Sequence, residues 1–249
     1  MRQKIDSVNN PKIKHIIKLK NKKYREKFNM FIVEGEHLVN EAVAAKMNID
    51  IYEYSESKRF LYKSSTEVSK EIIESVSEVL TPQNIFGVVK YKPKDWEVNI
   101  DLNSIRNIAY LEKVQDPGNI GTIIRLCRSF DIDLLVVQNF DIYNPKVIRA
   151  SQGSFFKQKM INVKDYNFLE KVVKSRKFNI LATTLKSNSV KLNEVKFTEK
   201  NLIIFGNEGN GITVEIEKYV NQFIYIPISF ESLNVATAAA IVLNKVRNG

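Results

Sequence analysis

From residue 106 onward, apolar residues cluster at 108–111, 134–137, 180–183, 202–205 and 223–226. Between these runs, apolar positions recur at helical spacing. Nearly continuous apolar runs suit strands covered on both faces, so this stretch predicts an α/β domain built on a parallel sheet. In such sheets ligands bind at the loops beyond the carboxyl ends of the strands. Upstream the pattern is shorter and more mixed. Asn10-Pro11 offers a capping residue followed by proline at the first helical position, and Ile13, Ile16 and Ile17 then share one face with lysines opposite. Strands are expected at 31–33, 49–54, 60–62 and 85–91, with helices at 37–46 and 70–76. Together these predict a small α/β domain over residues 1–92. A polar, proline-bearing linker over 93–105 contains Pro93-Lys94-Asp95-Trp96-Glu97, and the larger domain follows over 106–249.

Charge adds a partner to this picture. The formal net charge is +10, and residues 1–30 alone carry ten Lys or Arg against Asp6 and Glu26. Lys18, Lys20, Lys22, Lys23, Arg25 and Lys27 are closely spaced, with Tyr24 and Phe28 among them. Clustered cations neutralise phosphates and release counterions, and an aromatic ring stacks on an exposed base. A nucleic-acid surface is the expectation and a solvated helix face the alternative; charge does not separate RNA from DNA. No apolar run reaches 18 residues, so a membrane span is not expected. The first residues lack the apolar segment of a secretory signal. The single cysteine, Cys127, excludes an internal disulfide and fits a cytoplasmic setting; its helical register reads as a small buried side chain. His15 and His37 belong to no Cys/His cluster, so no metal is expected.

Three loops in the larger domain stand out. Gln115-Asp116-Pro117-Gly118-Asn119-Ile120-Gly121-Thr122-Ile123-Ile124-Arg125 follows a strand and opens a helix whose Ile120, Ile123, Ile124 and Cys127 face the core, leaving Asn119 and Arg125 off it. Gly206-Asn207-Glu208-Gly209-Asn210-Gly211 spaces its glycines as neither a dinucleotide fingerprint nor a phosphate-cradling loop, which argues against a nucleotide-dependent oxidoreductase. A carboxylate there suits a cation or a hydroxyl better than a phosphate. Ile226-Pro227 leads through Ile228-Ser229-Phe230-Glu231 to Ser232-Leu233-Asn234-Val235 and an alanine-rich helix. Taken singly, each loop is also explained as a capped helix or a tight turn.

In order and context the three resemble the signature motifs of the SpoU (TrmH-type) group of the SPOUT methyltransferase superfamily. Asn119, Gly121 and Arg125 match the first motif, and Gly206, Glu208 and Gly211 match the second. Ile226, Pro227, Ser232, Leu233, Asn234 and Val235 match the third, across a connecting loop shorter than usual and without its glycine. Arg149-Ala150-Ser151-Gln152-Gly153 is similar to a lesser element between the first and second motifs. The stretch from Asn10-Pro11 to Glu34-Gly35-Glu36-His37-Leu38-Val39 is similar to the appended, ribosomal-protein-like RNA-binding domain of many members. The resemblance implies a deep trefoil knot, a homodimer, and transfer of a methyl group from S-adenosylmethionine to a ribose 2′-hydroxyl of RNA, ribosomal more than transfer RNA. It places Arg125 nearest the reacting oxygen, with Asn119 and Asn234 positioning ribose and phosphate and Glu208 orienting Arg125 or a substrate hydroxyl. Thr183, Gly206, Ile226 and Leu233 become cofactor neighbours. A protein that keeps the fold, binds RNA and catalyses nothing is the alternative.

Overall fold

The computed structural model describes residues 2–92, 100–229 and 232–249. Through residue 92 the elements are β1 (Lys4–Ile5), α1 (Pro11–Lys18), α2 (Lys22–Phe28), β2 (Met30–Glu34), α3 (Glu36–Ala44), β3 (Asn48–Glu53), β4 (Thr66–Val68), α4 (Lys70–Val76) and β5 (Ile85–Lys90). Beyond residue 100 come β6 (Asn107–Leu111), α5 (Pro117–Ser129), β7 (Leu134–Gln138), α6 (Pro145–Ala150), β8 (Met160–Val163), α7 (Asn167–Ser175) and β9 (Asn179–Thr183). They are followed by β10 (Val190–Lys191), β11 (Asn201–Phe205), α8 (Val214–Glu217), β12 (Gln222–Tyr225) and α9 (Val235–Asn248).

The chain forms two compact units, Met1–Pro93 with Tyr143–Phe156, and Lys94–Ile142 with Lys157–Gly249. In the first, a mixed sheet of order β1-β4-β3-β5-β2 is packed by Ile13, Ile16 and Leu19 of the N-terminal helical segment and by Ile72 and Ile73 of α4, against Ile32, Tyr52, Phe86 and Val88 of the sheet. Asn10 caps α1 as its sequence suggests, accepting the Lys12 N–H, and Asn21 does the same for a separate second helix, α2.

The segment expected as a strand at 60–62 is irregular. The Glu53 carboxylate, buried at the end of β3, accepts the N–H groups of Leu61 (2.8 Å) and Tyr62 (3.0 Å). A side chain thus takes the donors that a neighbouring strand would otherwise need. On the side away from β5, β3 is paired instead by β4, a few residues later.

Tyr143–Phe156 also departs from the expected domain boundaries, because it completes the first unit. Tyr143 stacks on Tyr91 (ring centroids 4.0 Å apart) and on Phe31 of β2 (5.2 Å), and Phe155 meets Phe31 edge-on. Arg149 pairs with Glu34 at 3.2 Å, and Gln152 offers its carbonyl to His37 at 3.3 Å. The lesser element around Arg149 is therefore a fastening of this unit.

The second unit is a seven-stranded sheet of order β10-β12-β9-β11-β6-β7-β8, parallel at every pairing. The expectation of a parallel sheet is met. β8 and β10 were not foreseen: Met160-Ile-Asn-Val alternates at an edge, and β10 is two residues long. Of the expected linker, residues 93–99 lie outside the described residues. Ile100, Leu102 and Ile105 are buried in the core of the second unit beside Ile108 and Leu202, so the C-terminal part of that stretch is domain rather than linker.

Candidate active site

The parallel sheet brings the three motif loops to the carboxyl ends of β6, β11 and β12. After β6, Asp116 caps α5 by accepting the Asn119 N–H at 2.8 Å, and Pro117 fills the first helical position. After β11 the backbone folds back on itself. Asn207 and Gly211 exchange N–H···O bonds of 3.0 and 2.9 Å, while the Asn207 side chain accepts from the Gly209 and Asn210 N–H groups. Gly211 adopts φ +66°, and a methyl group on Gly206 would overlap the Gly211 carbonyl, so both glycines are required by the turn itself. After β12, Asn234 caps α9 by accepting the Ala236 and Thr237 N–H groups at 2.9 and 3.3 Å.

A single hydrogen-bonded chain joins the loops. Glu208 accepts from Asn119 Nδ2 (3.0 Å) and from the backbone N–H groups of Gln115 (3.2 Å) and Asp116 (3.3 Å). Asn119 Oδ1 in turn accepts from Asn234 Nδ2 at 2.9 Å. Neither amide can be turned over. The carboxylate needs a donor from Asn119, and the helix N–H groups need the oxygen of Asn234. Each amide keeps one N–H that bonds nothing among the described residues. Partial burial pushes the Glu208 carboxyl up, but the bonds from Asn119 and the backbone N–H groups outweigh it and hold the carboxyl below its usual range.

These residues border a cavity of about 480 Å³, within the range of small-molecule sites. Thr183, Gly206, Ile226 and Leu233, the four expected cofactor neighbours, all line it, as do Glu208 and Asn234. Ile228 of the short third-motif loop lines it too, while Phe230 and Glu231 lie outside the described residues. Asn119 enters through its bonds to Glu208 and Asn234. Arg125, on the helix that Asn119 opens, is exposed, and its guanidinium makes no hydrogen bond or ion pair among the described residues. Glu208 thus holds Asn119 and the α5 terminus, and among the described residues its acceptor bonds go to these groups and not to Arg125. Asn207 was passed over in the sequence, yet its Nδ2 donates to the Lys113 carbonyl at 2.9 Å and ties the second loop to the first. Its signal was an asparagine at the entry of a glycine-rich turn, a position where the side chain bonds its own backbone.

The six cations proposed for RNA divide differently. Lys18, Lys22, Lys23 and Lys27 are exposed on α1 and α2, with Lys18 lying 5.7 Å from the Tyr24 ring and Lys27 5.6 Å from that of Phe28. Lys20 donates to the Ser77 carbonyl at 2.9 Å. Arg25 is 3% exposed and donates to the Leu19 and Lys20 carbonyls at 2.7 and 2.6 Å, so it closes the turn between the two helices and is unavailable to a phosphate.

A family model described as the SpoU rRNA methylase family matches residues 106–244. The 23S rRNA (guanosine(2553)-2′-O)-methyltransferase RlmP of Bacillus subtilis is 31% identical, over 98% of this chain and 99% of its own length. The chain belongs to the SpoU rRNA methylase family. A second family model, described as an MRM3-like substrate binding domain, matches residues 10–87. An rRNA methyltransferase from Sinorhizobium meliloti shares the fold, with TM-score 0.87 at 24% identity over 98% of this chain and 97% of that one; its AdoMet-bound form gives 0.85. The tRNA (guanosine(18)-2′-O)-methyltransferase of Aquifex aeolicus, 29% identical, aligns with 55% of this chain and 66% of its own length. For this SpoU chain the three motif loops and the cavity fall inside the methylase match.

Proposed function

We propose that this RNA methyltransferase modifies a ribose 2′-hydroxyl of ribosomal RNA, with S-adenosylmethionine as the methyl donor. The observation that carries the reading is the Glu208–Asn119–Asn234 chain at the rim of the cavity. The residues present suit such a donor. The cavity wall combines apolar Ile224, Ile226, Leu233 and Ala238, which suit a flat adenine, with the Thr183 and Ser232 hydroxyls and a glycine-bearing loop that admits close backbone approach. When bound, the cofactor supplies a methyl group on a sulfonium, which needs a nucleophile in line with it.

The protein's task is to hold that nucleophile and manage the charge that develops on it. The spare N–H groups of Asn119 and Asn234 are donors, fitted to a ribose or phosphate oxygen rather than to a base proton. The Arg125 guanidinium stabilises the developing negative charge on the 2′-oxygen, or clamps the adjacent phosphate; a guanidinium is too weak a base to take the hydroxyl proton, which passes to water as the oxygen gains the methyl group. Glu208, already accepting three N–H bonds and held below its usual range, anchors Asn119 rather than removing a proton. Ribosomal RNA is favoured by the near full-length likeness to RlmP, whereas the transfer-RNA enzyme aligns with little more than half the chain. The trefoil knot, the homodimer and a cytoplasmic location belong to the same proposal.

The test is methyl transfer in vitro from S-adenosylmethionine to ribosomal and to transfer RNA, with 2′-O-methyl groups mapped in RNA from a strain lacking the protein. Loss of a ribosomal 2′-O-methyl group is expected. Loss confined to transfer RNA would reassign the substrate, and an intact methylation map with no transfer in vitro would remove the activity.

A further inference from the structure

The second-motif loop carries Glu208 and lines the cavity, so whatever holds its exit governs both. That exit is Thr213, between Ile212 (8% exposed) and Ile216 (fully buried), both in the core of the second unit. Thr213 donates twice to one side chain: its N–H bonds Glu112 Oε2 at 3.0 Å and its hydroxyl bonds Glu112 Oε1. Glu112 follows β6 directly, is 0% exposed, and receives a weaker bond from the Tyr166 hydroxyl at 3.5 Å. Its backbone N–H donates to the Phe205 carbonyl at the end of β11 (2.9 Å), so Glu112 spans both ends of the loop, through its backbone at the entry and its carboxylate at the exit. It neither lines the cavity nor is among the residues the three motifs single out.

We infer that Glu112 and Thr213 are positioning residues, a buried clasp that fixes the loop of residues 206–211 against the start of the first motif and so sets both the cofactor wall and the placement of Glu208. A carboxylate buried without a cationic partner in its described bonds is costly to keep unless its acceptors are used. Here donors from a single residue use both oxygens. The bonds from Asn207 Nδ2 to the Lys113 carbonyl and from the first loop to Glu208 then lie in sequence along the same seam. Without the clasp, the seam is held only from its exposed side.

The inference rests on the cofactor reading, and the test separates the two. Glu112→Ala strands two buried donors and endangers the fold, so Thr213→Val, which removes only the hydroxyl, is the informative variant; Thr213→Ser restores it. Thr198→Val is the control. It deletes a more exposed threonine hydroxyl, bonded to the Lys200 carbonyl at 2.8 Å, before β11 and so at the opposite end of the strands. Calorimetry with S-adenosylmethionine should show about tenfold weaker binding for Thr213→Val, the size of one buried hydrogen bond. Thr213→Ser and Thr198→Val should bind as the wild type does. Hydrogen exchange without cofactor should show lost amide protection over residues 206–211 in Thr213→Val alone. Unchanged affinity and protection in Thr213→Val, or equal losses in Thr198→Val, would overturn the clasp. If the wild type binds no S-adenosylmethionine, the cofactor reading fails, and the exchange comparison still decides the clasp.

Discussion

Glu208→Gln keeps the size of the side chain and replaces one acceptor oxygen with a donor that faces N–H groups. Asn119 then loses its anchor, and a misplacement of about 1 Å in a positioning group costs roughly 100-fold in turnover; steady-state methyl transfer at saturating cofactor measures this. The same variant yields a pH signature. The folded-state pKa of Glu208 lies below its ordinary value, so its ionised form contributes stability above the unfolded value of about 4.3, and that contribution is lost as pH falls through the lowered folded value. The melting advantage of wild type over Glu208→Gln should be level from about pH 8 to pH 5 and fade below about pH 4. An advantage that instead vanishes near neutrality would show that another group titrates. Arg125→Ala should abolish turnover while leaving cofactor binding unchanged, because its guanidinium holds no part of the fold among the described residues; wild-type single-turnover rates would end its assignment. The sequence disclosed these residue types through motif spacing. It did not disclose that Glu208 serves Asn119, since which acceptor meets which donor depends on how two loops 89 residues apart meet.

At the scale of elements, α1 and α2 show how charge in a sequence divides once it folds. Lys23→Ala and Lys27→Ala remove exposed charges and should weaken RNA binding across sequences, each lowering the salt slope by roughly one; titrations at about 50 and 200 mM salt measure it. Arg25→Ala should instead destabilise the first unit by about 3 kcal/mol, because the buried Leu19 carbonyl and the half-buried Lys20 carbonyl lose a charged donor; denaturant unfolding distinguishes this from an RNA contact. Six cations within ten residues look alike in the sequence, and a turn that must satisfy the Leu19 and Lys20 carbonyls selects one of them for structure. The same principle accounts for the misplaced strand. The apolar pattern at 60–62 is strand-like, but Glu53 supplies the acceptors from a distance in sequence that periodicity does not sense. The runs that became β6, β7, β9, β11 and β12 were legible because strands buried on both faces leave continuous apolar stretches.

At the scale of the whole molecule, the first unit is discontinuous. Phe31 and Tyr91, one turned inward on β2 and the other just past β5, find part of their packing only in Tyr143 and Phe155. A fragment of residues 1–92 should therefore unfold less cooperatively and at lower denaturant than the same unit within the full chain. Urea unfolding followed by tyrosine fluorescence checks this, and equal midpoints would show the added segment to be dispensable. Sequence reading set the domain boundary at 92 because a polar, proline-bearing stretch follows it, a local signal blind to a segment that returns fifty residues later.

That return has a consequence for how the protein is made. Synthesis delivers domains from the amino end, at roughly 5–20 residues per second. Here the leading unit emerges without its last piece and must wait, with an aromatic face uncovered, until residue 156 has cleared the ribosome. By then β6, α5 and β7 of the second unit have also been translated, so the two units complete themselves as interleaved rather than successive events.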